Sequence, residues 1–386
     1  MILKNCRFII TQDDKRTILE NKDLKINEET KTIEEIGVEL AKEPSEKIID
    51  CSTHVVMPGL VNPHIHLFTF QLREHIVNSW NELWNKAREL ERNILKLRTS
   101  WNKALSLIAT LGFTTIAPTE ICYDKFQENI NTFIGIIGGP FIFRKPYRMI
   151  GKIVHVSSIL NIGPELFKEL VDEAFKKNIT VSIHISNTRN EVFEFKRKYG
   201  KFPIEYLDSI GALRENVILV GLEWVTSWEL KKIANNNCKV VLIPSCSMFY
   251  ALGGLPPIIE FIGEKITLGL GTCSFTCNSP FIFHEAKALL YYIRTSYWSF
   301  KLTAQQVLDI ITLGNTRILN IKGGTITEGE PANLTIINLK HDNLAPVSMK
   351  NIVQNLVLYS EPYNIEFTVV RGRLYSPRKK HFRKSF

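Results

Sequence analysis

The feature that most constrains this chain is an alternation between about Trp101 and Ile293. Short, apolar, β-prone runs are separated there by stretches with helical spacing. Trp101–Leu111 leads into Thr114–Ala117, and Pro164–Lys177, with Leu166, Leu170 and Ala174 on one face, leads into Ile179–Ile185. Asn187–Lys198 and Pro203–Ile210 lead into Val217–Val220. Thr226–Ala234 leads into Lys239–Ile243, and Lys265–Leu270 runs into a loop and a helix near Glu285–Ile293. Strands joined through helices pair in parallel, because a parallel crossover needs a connection of helical length. This many units predicts an α/β fold, a (β/α)8 TIM barrel over residues 58–324.

The texture differs on either side. Cys6–Thr11, Thr32–Gly37 and Lys47–Cys51 read as short strands, as do Leu334–Leu339, Val353–Tyr359 and Glu366–Val370, with Gly372 as a turn. The expectation is a small composite β-sandwich domain built from residues 1–57 and 325–386.

The hydrophobic fraction of 45% and charged fraction of 23% are those of a globular protein, and 386 residues can bury a core without staples. The seven cysteines are odd in number and form no Cys-x-x-Cys pair, so neither a zinc ribbon nor a disulfide scaffold is expected. Reduced thiols and a cytoplasmic location fit better. Residues 1–10 carry Lys4, Asn5 and Arg7 and do not read as a signal peptide. No apolar run reaches the roughly 18 residues of a membrane span. Of the net charge of +9, seven positive charges come from Arg371, Arg373, Arg378, Lys379, Lys380, Arg383 and Lys384, leaving +2 for the rest. A solvated basic tail is the expectation, and nucleic acid is not an expected partner.

Chemistry concentrates in Pro58-Gly59-Leu60-Val61-Asn62-Pro63-His64-Ile65-His66. Two histidines at i, i+2 on a strand point to the same face. At the end of a barrel strand both imidazoles reach one metal ion. With this segment the chain resembles the amidohydrolase superfamily, in the branch of guanine, cytosine and adenosine-type deaminases and triazine chlorohydrolases. Gly112-Phe113-Thr114-Thr115 is similar to that branch's second-strand motif, and His184-Ile185-Ser186-Asn187-Thr188 to its fifth-strand His-x-Ala-Glu-Thr. Pro244 with Cys246-Ser247-Met248 resembles the segment after the sixth strand, and Gly271-Thr272 with Ser274, Asn278 and Glu285 resembles the eighth-strand region. Gly329-Glu330-Pro331-Ala332-Asn333-Leu334 resembles the return to the β domain.

The resemblance implies a metal-dependent hydrolase of non-peptide C–N bonds, of the aminohydrolase type. It implies a small-molecule substrate, a nitrogen heterocycle, and a homodimer. It also implies one divalent metal ion, zinc first and iron or manganese otherwise. The ion is held by two first-strand histidines, a fifth-strand and a sixth-strand histidine and an eighth-strand aspartate. It acidifies a water while the fifth-strand glutamate and the eighth-strand aspartate move protons.

Three of these ligands carry over, as His64, His66 and His184. Gly221 stands at the sixth-strand histidine, Cys273 at the eighth-strand aspartate, Asn187 at the catalytic glutamate and Ser247 at the asparagine after the sixth strand. Cys273 is a candidate metal ligand, since thiolate is a good zinc donor. Asn187 occupies a catalytic position without a titratable group. Glu223, two residues past Gly221 and on the same strand face, is the candidate replacement acid–base group, with Glu120 past the second strand as another. His155 falls near a substrate-contacting histidine of the branch; ungapped register gives that place to Ser157. Trp80 and Trp84 at i, i+4 read as helix packing, in a region where the resemblance implies a pocket lid. His54, His75, His284, His341 and His381 read as structural or surface residues. The altered site leaves a second expectation open, a catalytically inactive barrel that binds a small ligand or partner.

Overall fold

The structure is a computed structural model that describes residues 1–40, 46–126, 132–143 and 149–376. The tail residues Arg378, Lys379, Lys380, His381, Arg383 and Lys384 lie outside the described residues. Five strands come first: β1 (Ile2–Ile10), β2 (Ile18–Asn27), β3 (Thr32–Gly37), β4 (Ile48–Asp50) and β5 (His54–Pro58). Then follow β6 (Leu60–His66), β7 (Phe113–Glu120), β8 (Gly135–Ile136), β9 (Gly139–Ile142), β10 (Ile153–Val156) and β11 (Thr180–Ile185). Next are β12 (Val217–Gly221), β13 (Lys239–Leu242), β14 (Leu268–Leu270) and β15 (Cys273–Ser274). The last strands are β16 (Leu334–Asn338), β17 (Ile365–Val370) and β18 (Arg373–Tyr375).

Both chain ends enter one eight-stranded sheet in the order β18-β17-β16-β5-β1-β2-β3, with β4 beside β1. The seam is antiparallel β16 on β5, from Leu334 opposite Pro58 to Asn338 opposite His54. Leu3, Ile9, Leu24, Ile33, Val56 and Ile336 bury one apolar face of this sheet. The strands thus come from the expected ends, but they form one continuous hydrogen-bonded sheet where two stacked sheets were expected. Val353–Tyr359 is also not a strand; Ile352–Tyr359 is a helix. A short apolar run reads equally as buried strand or buried helix. Here Ile352, Asn355 and Leu356 are buried at helical spacing, and the Asn355 amide donates to the carbonyls of Leu344 (2.9 Å) and Pro346 (3.0 Å).

The second sheet is parallel throughout and runs β14-β13-β12-β11-β10-β9-β7-β6-β15, with β8 on β7. Its strands are nearly continuous buried runs, as in β11 and β12, because helices cover the outside and side chains fill the inside. The covering helices are capped by their own sequence. Ser79, Thr188 and Thr303 accept backbone N–H bonds at three helix starts. The two ends of the path, β14 and β15, are separated in sequence only by Gly271-Thr272. β14 pairs with β13, while β15 pairs with β6 on the opposite side. The sheet therefore curls until its ends meet, in the manner of a TIM-like barrel.

One side chain ties this junction. The Asn315 amide donates to the carbonyls of Val61 (2.7 Å) and Leu270 (3.1 Å), and its carbonyl accepts from Leu270 N–H (2.7 Å). Asn315 is fully buried. Replacing it with alanine leaves three buried backbone groups without these partners. At roughly 1–3 kcal/mol for each unsatisfied group, Asn315→Ala is expected to lower unfolding free energy by about 3 kcal/mol or more, measured by denaturant titration.

Candidate active site

β6 ends in His64-Ile65-His66, β10 carries His155 and β11 carries His184. The curl of the sheet brings all four histidines together, and one ring nitrogen from each lies within 4.8 Å of the others. None is more than 1% exposed. His184 Nε2 is 3.3 Å from His64 Nε2 and 3.4 Å from His66 Nε2. Burial drives every imidazole towards its neutral form. It lowers His66 to about 3 and holds His64, His155 and His184 well below the ordinary value, with the neighbouring histidines adding to the effect for these three.

Outer partners fix which nitrogen faces inward. His66 Nδ1 is 3.1 Å from the Thr119 carbonyl, a contact that places the proton on Nδ1 and leaves the Nε2 lone pair facing the cluster. His155 Nδ1 is 3.0 Å from Ser182 Oγ, on the residue paired with it across the strands, and its Nε2 is buried with no partner. The donor set fits a divalent first-row ion. Neutral imidazole nitrogens suit such ions, and tetrahedral binding at about 2.0–2.1 Å puts ligand nitrogens about 3.3–3.4 Å apart.

Cys273 lies at the edge of this group. Its Sγ is 3.9 Å from His184 Nε2, Ile65 is its strand partner, and burial raises its thiol well above the ordinary range. Gly271, just before it, cannot be larger: an added Cβ would sit 2.8 Å from His64 Cβ. Ser186, Leu222 and Cys273, each just past a strand or in its last short piece, have φ of 54°, 67° and 50°. Such backbone is costly for non-glycine residues and tends to gather at functional sites.

The remaining altered positions form one unit. The Asn187 amide donates to Glu223 Oε2 (2.8 Å) and to the Val220 carbonyl (3.3 Å), and Ser247 Oγ donates to Glu223 Oε1. Gly221 sits against them at φ 96°, and a Cβ there would fall 1.7 Å from Asn187 Nδ2 and 2.7 Å from Glu223 Oε2. Burial lifts Glu223 to about 7, against the opposing hydrogen bonds of Ser247 and Asn187. Glu120 serves another purpose. It is buried and accepts from the N–H groups of Leu67 and Phe68 (the latter at 2.9 Å), holding the turn after His66.

A cavity of about 300 Å³ opens beside the cluster, lined by His184, Asn187, Trp80, Trp84, Ser157 and Glu191 among others. Several expectations shift here. His155 belongs to the histidine cluster and not to the cavity wall, whereas Ser157, its ungapped alternative, does line the wall. Glu223 does not line the cavity. Trp80 and Trp84 are buried, as helix packing demands, yet their rings lie 5.0 Å and 5.3 Å from that of His184. Glu191 went unweighed. Its Oε2 accepts from Asn187 N–H (3.0 Å), its Oε1 is buried without a partner, and burial raises it to about 7. Its place three residues after the Thr188 cap was the available signal. His75 caps the end of the 3-10 helix Leu67–Glu74, and His284 bonds Glu361 at 2.9 Å. Cys246 and Cys277 are disulfide-bonded, which corrects the expectation of reduced thiols. They lie 31 apart in sequence, Cys246 in the helix Pro244–Phe249 after β13 and Cys277 after β15.

The chain belongs to the amidohydrolase family, whose profile matches residues 158–375. It is 28% identical, over 93% of its length and 91% of the relative's, to a 5-methylthioadenosine/S-adenosylhomocysteine deaminase of Pyrococcus furiosus. It is 26% identical, over 90% and 88%, to a 5'-deoxyadenosine deaminase of Methanosphaera stadtmanae. The fold is that of a zinc-bound adenosine deaminase from Xanthomonas campestris, with a TM-score of 0.81 at 16% identity over 97% of this chain and 92% of that one. It is likewise that of a zinc-complexed atrazine chlorohydrolase from Arthrobacter aurescens, with a TM-score of 0.82 at 18% identity over 97% and 94%. No helix among the described residues is long and apolar enough to cross a membrane.

Two predictions follow from the packing. Gly221→His is expected to destabilise the fold by about 1–3 kcal/mol or more by overpacking, and Asn187→Gly in the same chain should recover part of that loss. A double-mutant cycle in denaturant measures the coupling. The second concerns Glu285, buried, accepting from Ser245 N–H (3.1 Å) and raised by burial to about 7. Its folded pKa exceeds the unfolded value near 4.5, so the folded state holds the extra proton between those values and loses stability as pH rises through that window. The buried histidines act in the opposite sense, so the variant must be compared with the unaltered protein. Glu285→Gln should gain melting temperature relative to it as pH goes from 5 to 8, and an unchanged difference overturns the assignment.

Proposed function

We propose that this chain is a metal-dependent hydrolase of non-peptide C–N bonds that deaminates an adenosine-like nitrogen heterocycle. The observation that carries this reading is a buried cluster of neutral histidines opening onto a cavity walled by two tryptophans and an asparagine, in a chain of this family. The names of the sequence relatives supply the substrate class. Residues 58–324 form the catalytic barrel in this reading, and residues 1–57 with 325–386 the supporting β domain. His64, His66 and His184 hold the ion, zinc by preference given the zinc-bound structural neighbours. When bound, such an ion supplies a Lewis acid and acidifies water.

The chain's own groups do the rest. Trp80 and Trp84 offer flat apolar faces to a planar heterocycle. Asn187 Oδ1, buried with no partner, accepts a hydrogen bond from an exocyclic amine. Deamination consumes one water and releases ammonia, so a proton must be delivered to the departing nitrogen. Glu223, with a pKa of about 7, is suited to hold that proton near neutrality. Because Asn187 stands between it and the cavity, and an amide does not relay a proton, the side chain of Asn187 must turn aside for transfer. Slow turnover is the consequence.

One observation favours the second reading, an inactive ligand-binding barrel: Asn187 supplies no titratable group where the resemblance implies a glutamate. Ammonia release from 5'-methylthioadenosine, 5'-deoxyadenosine, adenosine and guanine, with zinc, iron or manganese supplied, separates the two. Release is expected below the usual enzyme range of about 1–10³ s⁻¹. Glu223→Gln should reduce it by about 10²-fold or more, the ordinary contribution of one acid–base group. Loss on Glu191→Gln alone transfers the role to Glu191. Binding of a nucleoside without ammonia release under any metal establishes the inactive reading.

A further inference from the structure

We infer that His155 is the fourth protein ligand of the metal site, so that the ion is held by four imidazoles and no anionic side chain. This rests on the reading that the site holds a divalent ion at all. The resemblance gives the fourth strand no ligand. It assigns ligands to a sixth strand and an eighth, where this chain has Gly221 and Cys273.

Three observations carry the inference. First, the four rings form a closed group in which each meets the other three. The ring of His155 is 5.0 Å from His64, 5.0 Å from His66 and 4.7 Å from His184, as close as those three are to one another. Second, His155 is built as a ligand is built. Its Nδ1 is engaged by Ser182, and its Nε2 is fully buried, aimed into the group and without any partner. An orphaned buried nitrogen is costly in a protein interior, and an ion removes that cost. Third, the competing donor is worse placed. Cys273 Sγ contacts His184 Nε2 at 3.9 Å but falls outside the set of mutually close donor atoms. Nor does a substrate-contacting role suit His155, which is 0% exposed and absent from the cavity wall.

Protons do not satisfy such an arrangement. The Nε2 atoms of His64 and His66 both approach that of His184, which cannot donate one proton to two neighbours. Four neutral ligands leave the full double positive charge of an ion unbalanced by its own ligand shell. Soft thiophilic ions lose their advantage at a site without thiolate, and ions that favour imidazole gain it.

The test uses the full-length protein titrated with cobalt(II) and then competed with zinc. One ion per chain is expected, with visible bands of a nitrogen-only site and no thiolate-to-cobalt absorption in the near ultraviolet. His155→Ala should weaken affinity by about 100-fold or more and alter the bands. Ser182→Ala, which removes only the partner that orients His155, should weaken it by about 10-fold, the lower end for an outer partner. Cys273→Ser should leave affinity and spectrum unchanged. Circular dichroism checks folding of each variant. If His155→Ala does not fold, Ser182→Ala and the spectrum of the unaltered protein decide. Thiolate absorption that disappears in Cys273→Ser, or unaltered binding by both His155→Ala and Ser182→Ala, overturns the assignment of His155 and leaves the metal site standing. Failure of the unaltered protein to take up cobalt or zinc overturns the metal reading itself, and this inference with it.

Discussion

Four uncharged imidazoles share one buried volume, and beyond one another their inward nitrogens meet only the Cys273 thiol, at His184. Placing them there costs solvation that nothing apolar returns. The surrounding architecture makes sense as the means of holding them. The parallel strands β6, β10 and β11 converge only because the sheet curls, and the sheet closes where β15 lies against β6. Thr119 and Ser182 turn two of the rings by their outer nitrogens. Glu120 fixes the chain immediately after His66 by taking two of its N–H groups. Gly271 lets the last strand approach His64 closely.

Much of the fold was legible because period and spacing are local signals. The helices Pro164–Lys176 and Pro203–Ser209 and the strands that follow them sit within a residue or two of where apolar spacing puts them. What failed had no local signal. Val353–Tyr359 is a short, mostly apolar run with Gln354 and Asn355 adjacent, so its periodicity did not separate strand from helix, and tertiary contact decided. β9 and β10 are four residues each, too short to show an alternation. Cys246 and Cys277 meet because β13 pairs with β14, a tertiary neighbourhood that no cysteine spacing rule encodes.

The site was legible to a different depth. The His-x-His pair and His184 are visible because strand geometry puts i and i+2 on one face and because the resemblance supplies the third histidine. His155 was visible as a histidine but not as a member of this group. Its partners come from neighbouring strands, and the one that bonds its ring, Ser182, is 27 residues away. Trp80 and Trp84 obey the ordinary i, i+4 packing rule and line the cavity as well, a second role that the resemblance implied and the packing rule did not. Glu191 looked like a helix-start carboxylate and is one, since it accepts from Asn187 N–H. Its free oxygen is a matter of three-dimensional surroundings.

The departures from the family pattern read differently singly and together. Taken one at a time, Gly221 loses a ligand, Asn187 loses an acid and Cys273 loses a carboxylate. Taken together, Gly221 and Asn187 fit one another sterically. The Asn187 amide occupies the space where a side chain at 221 would begin, and the Glu223 carboxylate lies against the same point. Ser247 and Asn187 then satisfy both oxygens of Glu223. A site that had merely lost residues would leave a void here, whereas among the side-chain oxygens of Asn187, Glu223 and Ser247 only Asn187 Oδ1 lacks a protein partner. The space given up on the sixth strand is filled by a bonded carboxylate, and an imidazole from the fourth strand completes the histidine group. Restoring a histidine at 221 alone therefore meets a neighbour already adapted to its absence, which makes the sixth-strand glycine and the fifth-strand asparagine a single structural choice.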